Sequence, residues 1–245
     1  MTLDAERRKL EEISSWYSNR AWGFYTKLVH MGFRTLSLYF VEGSCLEIGC
    51  ADGEMTRFLA ERFEDLTVVD GAAAYVEAAT KIAAHIQGHV SLIEDWEAPR
   101  CYDNVIFAHV LEHVAEPVAT LRRLGALLQP GGLLHLIVPN ALSLHRLAGV
   151  KMGMLSRPTD LNEADVSVGH RRVYESATLR ADLAAAGLEV HAFGGIFLKP
   201  LANAQIDEAW NDELIEAYYQ LGLEFPDYCG ELFAVCRPHA GIKRA

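Results

Sequence analysis

Three residues with metal-binding and acid-base side chains lie within five positions of one another, in the pattern His109-x-x-Glu112-His113. On a continuous helix, this pattern sets two imidazoles and a carboxylate on one face. A class of zinc peptidases uses that arrangement to hold its ion and activate water. The pattern therefore raises two questions, whether the segment is a helix and whether a metal binds there. Both answers depend on the elements around it.

The segment directly follows the apolar run 104–108, which predicts that His109 lies at the carboxyl end of a buried strand. Pro117 would limit any helix after this strand to about two turns. Because a zinc helix needs both histidines on one continuous helix and a third ligand from elsewhere, we expect no metal at these residues. For Glu112 and His113, a short helix packed at a pocket rim and a role in catalysis both stay open.

The composition of the 245-residue chain narrows the class of protein. No apolar run reaches the ~18 residues of a membrane helix, and the amino terminus is charged throughout, so we expect a cytoplasmic protein without a membrane span. The formal charge of −11, from 33 acidic and 22 basic residues, disfavours nucleic acid as a partner. The five cysteines form no C-x-x-C pair, which is typical of reduced core thiols. The oligomeric state stays open, a homo-oligomer included.

Short apolar runs alternate with amphipathic segments from residue 44 onward, as in parallel strands joined by crossover helices. Strands are predicted at 44–49, 65–70, 89–95, 102–110, 133–140, 188–200 and 231–238, and helices at 54–63, 72–86, 117–128, 176–187 and 212–222. This order predicts a doubly wound α/β sheet. The irregular segment after the fifth strand is typical of a lid or substrate loop. We divide the chain into a helical cap (1–42), a Rossmann-like cofactor-binding core (43–140), a lid (141–175) and the rest of the sheet domain (176–245).

A glycine-rich turn after the first strand could cradle a cofactor on its backbone amides. A dinucleotide loop starting at Gly49 would need glycines at positions 51 and 54, where the chain has Ala51 and Glu54. No G-x-x-x-x-G-K-[ST] motif occurs, so a nucleoside triphosphate is not indicated. Asp70 ends the second strand, where its carboxylate could accept both hydroxyls of a ribose. Capping the next helix is the structural alternative for Asp70.

The loop Glu47-Ile48-Gly49-Cys50-Ala51-Asp52-Gly53 resembles the E/D-x-G-x-G-x-G loop of class I S-adenosylmethionine-dependent methyltransferases. The stretch 109–140 is similar to the subfamily around ubiquinone-type O-methyltransferases. Ala51 departs from the motif, and an alanine there disfavours a positive φ. The resemblance implies a seven-stranded, mostly parallel sheet of order 3-2-1-4-5-7-6, with S-adenosyl-L-methionine as the cofactor.

The predicted cofactor-binding residues come from the glycine loop and from the ends of the next strands. In the family, an acidic residue after the third strand binds the adenine amino group and an apolar neighbour contacts the ring, which here implies Asp95 and Trp96. His109 joins them because ligands of doubly wound sheets bind at the carboxyl ends of strands. The full set is Glu47, Gly49, Cys50, Ala51, Gly53, Asp70, Gly71, Asp95, Trp96 and His109.

Methyl transfer to a hydroxyl or an amine also requires removal of a proton, for which histidine is the natural base near neutral pH. We predict His113 and His170 as the catalytic candidates. The run "GHRRVY" is similar to the family's G-H-x-R-x-Y motif, which helps to close the active site, although a solvated turn is the structural alternative. The predicted substrate-binding residues are His145, Arg171, Arg172 and Tyr174.

The predicted function is therefore methyl transfer from S-adenosylmethionine to a hydroxyl of a small molecule, by in-line displacement and without a metal. N-methylation of a small amine or amino sugar is the nearest alternative. An NAD-dependent dehydrogenase and a cofactor-binding protein without catalysis are the alternatives from other classes.

Overall fold

The computed structural model describes residues 23–239. The strands are β1 (Cys45–Ile48), β2 (Leu66–Asp70), β3 (Ile86–Val90), β4 (Tyr102–Ala108), β5 (Leu128–Pro139), β6 (Leu188–Ile196) and β7 (Glu231–Pro238). The helices are α1 (Gly23–Ser37), α2 (Glu54–Arg62), α3 (Ala73–Thr80), α4 (Pro117–Ala126), α5 (Leu144–Lys151), α6 (Glu163–Ser167), α7 (Ser176–Ala185), α8 (Asn203–Ala209) and α9 (Asp212–Glu224). A short 3₁₀ helix, Pro226–Tyr228, precedes β7. The first 22 residues of the predicted cap lie outside the described range.

The strands form one sheet of order β3-β2-β1-β4-β5-β7-β6. β1 to β5 pair in parallel, whereas β7 runs antiparallel to both of its neighbours. This topology confirms the predicted fold class and strand order. The carboxyl ends of β1, β2 and β4 meet on one edge of the sheet, where ligands of such folds bind.

Both faces of the sheet are covered, which explains why the central strands are mostly apolar. Every residue of β1 and of β2 is buried. Alternate residues enter two separate cores: Cys45 and Val68 pack in one, and Leu46 and Val69 in the other. α1, the part of the predicted cap that is described, buries its apolar side in the first core through residues such as Phe24 and Leu28.

The third strand differs from the sequence prediction. The helix before it ends at Thr80 rather than at residue 86, and β3 begins at Ile86. Leu92 and Ile93, which suggested a strand at 89–95, are buried in a turn after β3. Burial in a turn leaves the same apolar signal as burial in a short strand, so the pattern could not separate the two.

The segment 109–116 contains no helix, so the short-helix interpretation of Glu112 and His113 is wrong. The amide of His113 donates to the carbonyl of Val110 at 2.9 Å, which closes a turn, and α4 begins only at Pro117. His109 and His113 are therefore not related by a helical turn, and the peptidase arrangement is absent.

The segment after β5 contains two short helices, α5 and α6, and returns to the sheet through a bridge between Asn140 and Tyr174. Arg146 on α5 donates to the carboxylate of Asp165 on α6 at 2.9 Å. This contact joins the two short helices of the segment to each other. Across residues 23–239, no helix combines the length and the apolar character needed to cross a membrane.

Candidate active site at the carboxyl edge of the sheet

The glycine loop leaves β1 through a backbone that only small residues allow. Gly49 and Gly53 have φ angles of 79° and 84°. A Cβ on Gly49 would lie 2.4 Å from Cγ2 of Val110, so this position also excludes any larger residue by contact. The amide of Gly53 donates to the carbonyl of Cys50 at 2.9 Å, which closes the turn that leads into α2.

Ala51 adopts a φ of 44°, in the left-handed region that the sequence analysis considered disfavoured for alanine. The family's turn geometry is therefore kept without its central glycine. A left-handed alanine costs about 1–2 kcal/mol relative to right-handed backbone, and such strain persists only when the surrounding contacts impose it. The amide of Ala51 points to the carboxylate of Asp70 at 3.4 Å, which is one of those contacts.

Asp70 lies at the end of β2 facing this loop. Its Oδ1 accepts from the amide of Ala72 at 2.8 Å, across Gly71, and its Oδ2 lies 3.4 Å from the amide nitrogen of Ala51. Burial raises the pKa of Asp70, although the backbone amides act in the opposite direction. The N-cap residue of α3 is Ala72, so Asp70 is not the helix cap of the alternative interpretation. Its buried carboxylate closes one side of the loop.

Cys50 and Glu47 lie beneath the loop and are closed off from solvent. The thiol of Cys50 is 3.9 Å from Oδ2 of Asp70, and burial raises the pKa of this thiol far above its ordinary value. Glu47 is buried within β1 and accepts a hydrogen bond from the hydroxyl of Thr56 at 2.7 Å. Glu47 thus joins β1 to the first turn of α2.

Burial raises the pKa of Glu47 from 4.5 to about 8, while the hydrogen bond from Thr56 acts to lower it. The folded protein therefore keeps a proton that the unfolded chain releases above pH 4.5, so stability falls as pH rises between 4.5 and about 8. Gln mimics the protonated acid and keeps the acceptor for Thr56. In urea unfolding, the stability of Glu47→Gln relative to the wild type should be constant below pH 4.5, rise by about 1.4 kcal/mol per pH unit up to about pH 8, and then level off. The same difference between variant and wild type at both ends of this range would contradict the buried-acid interpretation.

The two residues predicted to contact adenine lie in the turn after β3. Asp95 is exposed, whereas only 6% of Trp96 is exposed. The indole packs against His89 and Tyr102, with ring centroids 5.6 and 6.4 Å apart. Most of the Trp96 ring therefore belongs to the core, and Asp95 is the more accessible of the two.

His109 directly follows β4 with a φ of 57° and lies between two buried carboxylates. Its Nε2 lies 3.2 Å from Oε1 of Glu231, at the start of β7, and its Nδ1 lies 3.7 Å from Oε1 of Glu112. Burial alone would lower the pKa of His109, but the two carboxylates outweigh it and raise the value to about 9. His109 is thus an imidazolium at neutral pH.

The "GHRRVY" motif fastens the lid segment to the turn after β4. The Arg171 amide donates to the carbonyl of Glu112 at 2.9 Å, and its side chain donates to the carbonyl of His113 at 2.7 Å. Arg172 donates to the carbonyls of Leu111 and Val114 at 3.0 and 2.6 Å. Both guanidinium groups thus act on the protein's own backbone, so the prediction that they bind substrate is not supported by these contacts.

Tyr174 was predicted to bind substrate, and the structure contradicts this. Its side chain is 2% exposed within the second core, and its hydroxyl donates to Asp182 on α7 at 3.1 Å. Burial also raises its pKa well above the ordinary value. The apolar ring fills the space under the β5 end, which is a packing role.

His113 and His170 come together although they are far apart in sequence. Their rings are nearly perpendicular, with centroids 4.8 Å apart. Burial lowers the pKa of His113, so this imidazole is neutral near pH 7. Nδ1 of His170 lies 3.0 Å from Oδ1 of Asp165, and the carbonyl of Asp165 also accepts from the His170 amide. The two predicted catalytic histidines thus form one pair.

His145 lies apart from this pair, in the first turn of α5. Its amide donates to the carbonyl of Lys199 at 3.0 Å. Burial, assisted by the charges of Lys199 and Arg146, lowers the pKa of His145 to about 3. Burial also lowers the pKa of Lys199, to about 8, although Glu231 acts to raise it. His145 is therefore a neutral imidazole beside the half-buried Lys199.

Three ionisable residues of this region were missed by the sequence analysis, namely Asp165, Lys199 and Glu231. Glu231 is the first residue of β7 and precedes five apolar residues, and a charged residue at such a position is the signal that could have pointed to it. Asp165 lies in a capping box with Asn162, so its local role hid its contact with His170. Lys199 follows β6 in a segment without a recognisable motif.

Comparison with known proteins agrees with this geometry. A family model described as a methyltransferase domain matches residues 25–192. The ubiquinone biosynthesis O-methyltransferase of Xanthomonas euvesicatoria pv. vesicatoria (strain 85-10) is 27% identical over 184 residues, which cover 71% of this chain and 74% of that protein. The chain therefore belongs to the methyltransferase-domain family.

Solved structures share the fold at low sequence identity. DhpI in complex with S-adenosylhomocysteine (SAH) has a TM-score of 0.62 and 18% identity, covering 97% of both chains. The N-methyltransferase NodS from Bradyrhizobium japonicum WM9, also with SAH, has a TM-score of 0.55 and 19% identity, covering 86% of this chain and 85% of NodS. The [4+2]-cyclase SpnF has a TM-score of 0.58 and 14% identity, covering 88% and 81%. Because SpnF is named for a different reaction, the fold alone does not fix the chemistry.

Proposed function

We propose that this methyltransferase transfers the methyl group of S-adenosylmethionine to a hydroxyl of a small molecule. The observation that carries the proposal is the common edge of the sheet. The glycine loop and Asp70 lie at the ends of β1 and β2, and the His113–His170 pair lies just beyond the end of the neighbouring strand β4. This order of strand ends supports a donor pocket next to a proton-accepting group.

The donor side follows from the loop and from Asp70. The turn through Gly49, Ala51 and Gly53 is tight, its three amides point to acceptors within the protein, and no lysine accompanies it, which suits a ligand without phosphate. The carboxylate of Asp70 has the position at which doubly wound folds hold a ribose. Asp95, exposed after β3, is the proposed partner of the adenine amino group.

The reaction is an in-line displacement at the methyl carbon. The acceptor oxygen forms the new C–O bond as the C–S bond of the sulfonium breaks, and SAH leaves as a neutral thioether. The hydroxyl proton passes to a ring nitrogen of His113 or His170 and then to solvent. The protein contributes mainly the alignment of the two reactants.

A hydroxyl acceptor is proposed over an amine because the relative that is 27% identical is named a ubiquinone biosynthesis O-methyltransferase. N-methylation stays the second candidate because NodS, which shares the fold, is an N-methyltransferase.

Binding and transfer can be tested separately with the full chain. Saturating SAH should stabilise the protein by about 2.7 kcal/mol at 100 times its dissociation constant, whereas NAD should give no shift. Radiolabelled S-adenosylmethionine should then label a phenol or catechol in preference to the matched aniline. Absence of an SAH shift would overturn the donor assignment, and preference for the aniline would overturn the hydroxyl assignment. Binding without any transfer would favour the non-catalytic alternative.

A further inference from the structure

Three potential metal ligands converge at the junction of the β4 turn and the lid. Glu112, His113 and His170 each offer one ligand atom, and these atoms all lie within 4.8 Å of one another. Nε2 of His170 is 4.0 Å from Oε1 of Glu112. Two donors bound to one zinc-sized ion at about 2.0–2.2 Å can be no more than about 4.4 Å apart. The His170–Glu112 pair is already within this limit, and the widest pair exceeds it by no more than about 0.4 Å.

Glu112 has the environment of a ligand that lacks its ion. Its side chain is 0% exposed, and within residues 23–239 neither carboxylate oxygen has a hydrogen-bond partner. Its neighbouring imidazole nitrogens, on His109 and His170, are 3.7 and 4.0 Å away, beyond hydrogen-bond distance. A buried carboxylate without hydrogen bonds is costly, and coordination of a cation is one of the few ways to offset that cost.

Both histidines are held by their surroundings as metal-binding histidines are. Nδ1 of His170 faces the carboxylate of Asp165 at 3.0 Å, and Arg146 fixes Asp165 from the other side at 2.9 Å. The ring of His113 is hydrogen-bonded to the backbone of Gly169. A carboxylate or carbonyl on one ring nitrogen orients the other nitrogen toward a metal and increases its basicity. Each imidazole thus keeps one nitrogen for the space beside Glu112.

We propose that Glu112, His113 and His170 bind one divalent transition-metal ion, with zinc as the expected occupant. Two imidazoles and one carboxylate match the protein ligands of catalytic zinc sites, which leave a further position open. The sequence pattern that suggested zinc on a helix is therefore reassigned. Glu112 and His113 act from a turn, and the third ligand comes from the lid.

The consequence for catalysis rests on the proposed function. A hydroxyl that occupies the open position becomes more acidic, so the ion rather than a histidine base lowers the barrier to proton loss, and the proton leaves to solvent. The donor pocket and the displacement at the methyl carbon are unchanged. The expectation of a metal-independent enzyme is thereby replaced.

The test is metal binding by the full chain, measured without activity. Protein stripped with a chelator is titrated with Zn²⁺ and Co²⁺, and bound metal is counted by mass spectrometry after equilibrium dialysis. We expect one ion per chain, and a Co²⁺ absorption spectrum without a thiolate charge-transfer band, which excludes binding at the five cysteines. Glu112→Gln and His170→Gln should each weaken binding at least 100-fold, and Asp165→Asn should weaken it about 10- to 100-fold.

His191→Gln is the matched control, because this histidine is exposed on β6 and should leave metal affinity unchanged. SAH affinity, measured on the same preparations, reports whether each variant is folded. No stoichiometric ion in the wild type, or unchanged affinity in folded Glu112→Gln and Asp165→Asn, would overturn the proposal. Metal binding without SAH binding would instead overturn the proposed function and leave the metal site standing.

Discussion

Replacement of Asp70 with Asn should weaken the binding of S-adenosylmethionine and SAH about 100-fold. Hydrogen bonds to an ionised carboxylate contribute about 1.5–3 kcal/mol each, and 1.4 kcal/mol corresponds to a tenfold change in affinity. Asn keeps one oxygen, which the amide of Ala72 already occupies at 2.8 Å. The second position becomes an NH₂ group, which faces the donating amide of Ala51 and has no charge to offer a ribose hydroxyl. Isothermal titration calorimetry with SAH measures the loss.

Asp65→Asn is a suitable control for Asp70, since it removes the same charge at the opposite end of the same strand. Asp65 precedes β2 and pairs at the surface with Arg100. Its replacement should leave SAH affinity within about twofold, because exposed ion pairs contribute little. Similar losses in the two variants would show that net charge rather than the ribose contact is responsible, and an unaffected Asp70→Asn variant would remove Asp70 from the donor pocket.

His113→Gln should lower kcat by about 10²–10³-fold while SAH affinity stays unchanged. This reduction in kcat is the size expected for loss of a positioned proton-transfer group. Loss of a metal ligand would also lower kcat. Gln keeps a polar side chain near Gly169, so the turn should stay folded. Single-turnover assays with a hydroxyl acceptor separate this effect from product release. A rise in KM with an unchanged kcat would show that His113 binds the acceptor and takes no part in the chemical step.

His89→Gln serves as the control for that experiment. His89 lies in β3 and contacts the ring of Trp96, away from the His113–His170 pair. Its variant should retain kcat. If both variants lose activity equally, a general loss of stability is the cause, which thermal unfolding in the presence of SAH will reveal.

Much of the fold could be predicted from the sequence because its elements depend on local patterns. The all-buried strands β1 and β2 give short, mostly apolar runs, and the Gly49–Gly53 turn has a recognisable composition. The third strand was misplaced because Leu92 and Ile93 are buried in a turn. The resemblance supplied the strand order, which the structure confirms.

The site was less predictable because its contacts join distant parts of the chain. The spacing of His109, Glu112 and His113 suggested that these residues act together. In the structure, however, important contacts of both histidines come from distant parts of the chain. Glu231 reaches His109 from β7, and His170 reaches His113 from the lid. Tyr174 belongs to a motif that predicted ligand binding, but its side chain faces the core. A sequence motif alone does not specify the direction of a side chain.

The attachment of the lid has a consequence for protein engineering. Arg171 and Arg172 donate to carbonyl oxygens of the 110–115 turn, and every residue type provides a carbonyl. The hydrogen bonds from Arg171 and Arg172 therefore do not depend on which exposed or half-buried side chains that turn carries. A library at the exposed Ala115 would vary the surface of the turn while the lid keeps its anchor, whereas Val110 should be kept because its Cγ2 packs against Gly49 of the glycine loop.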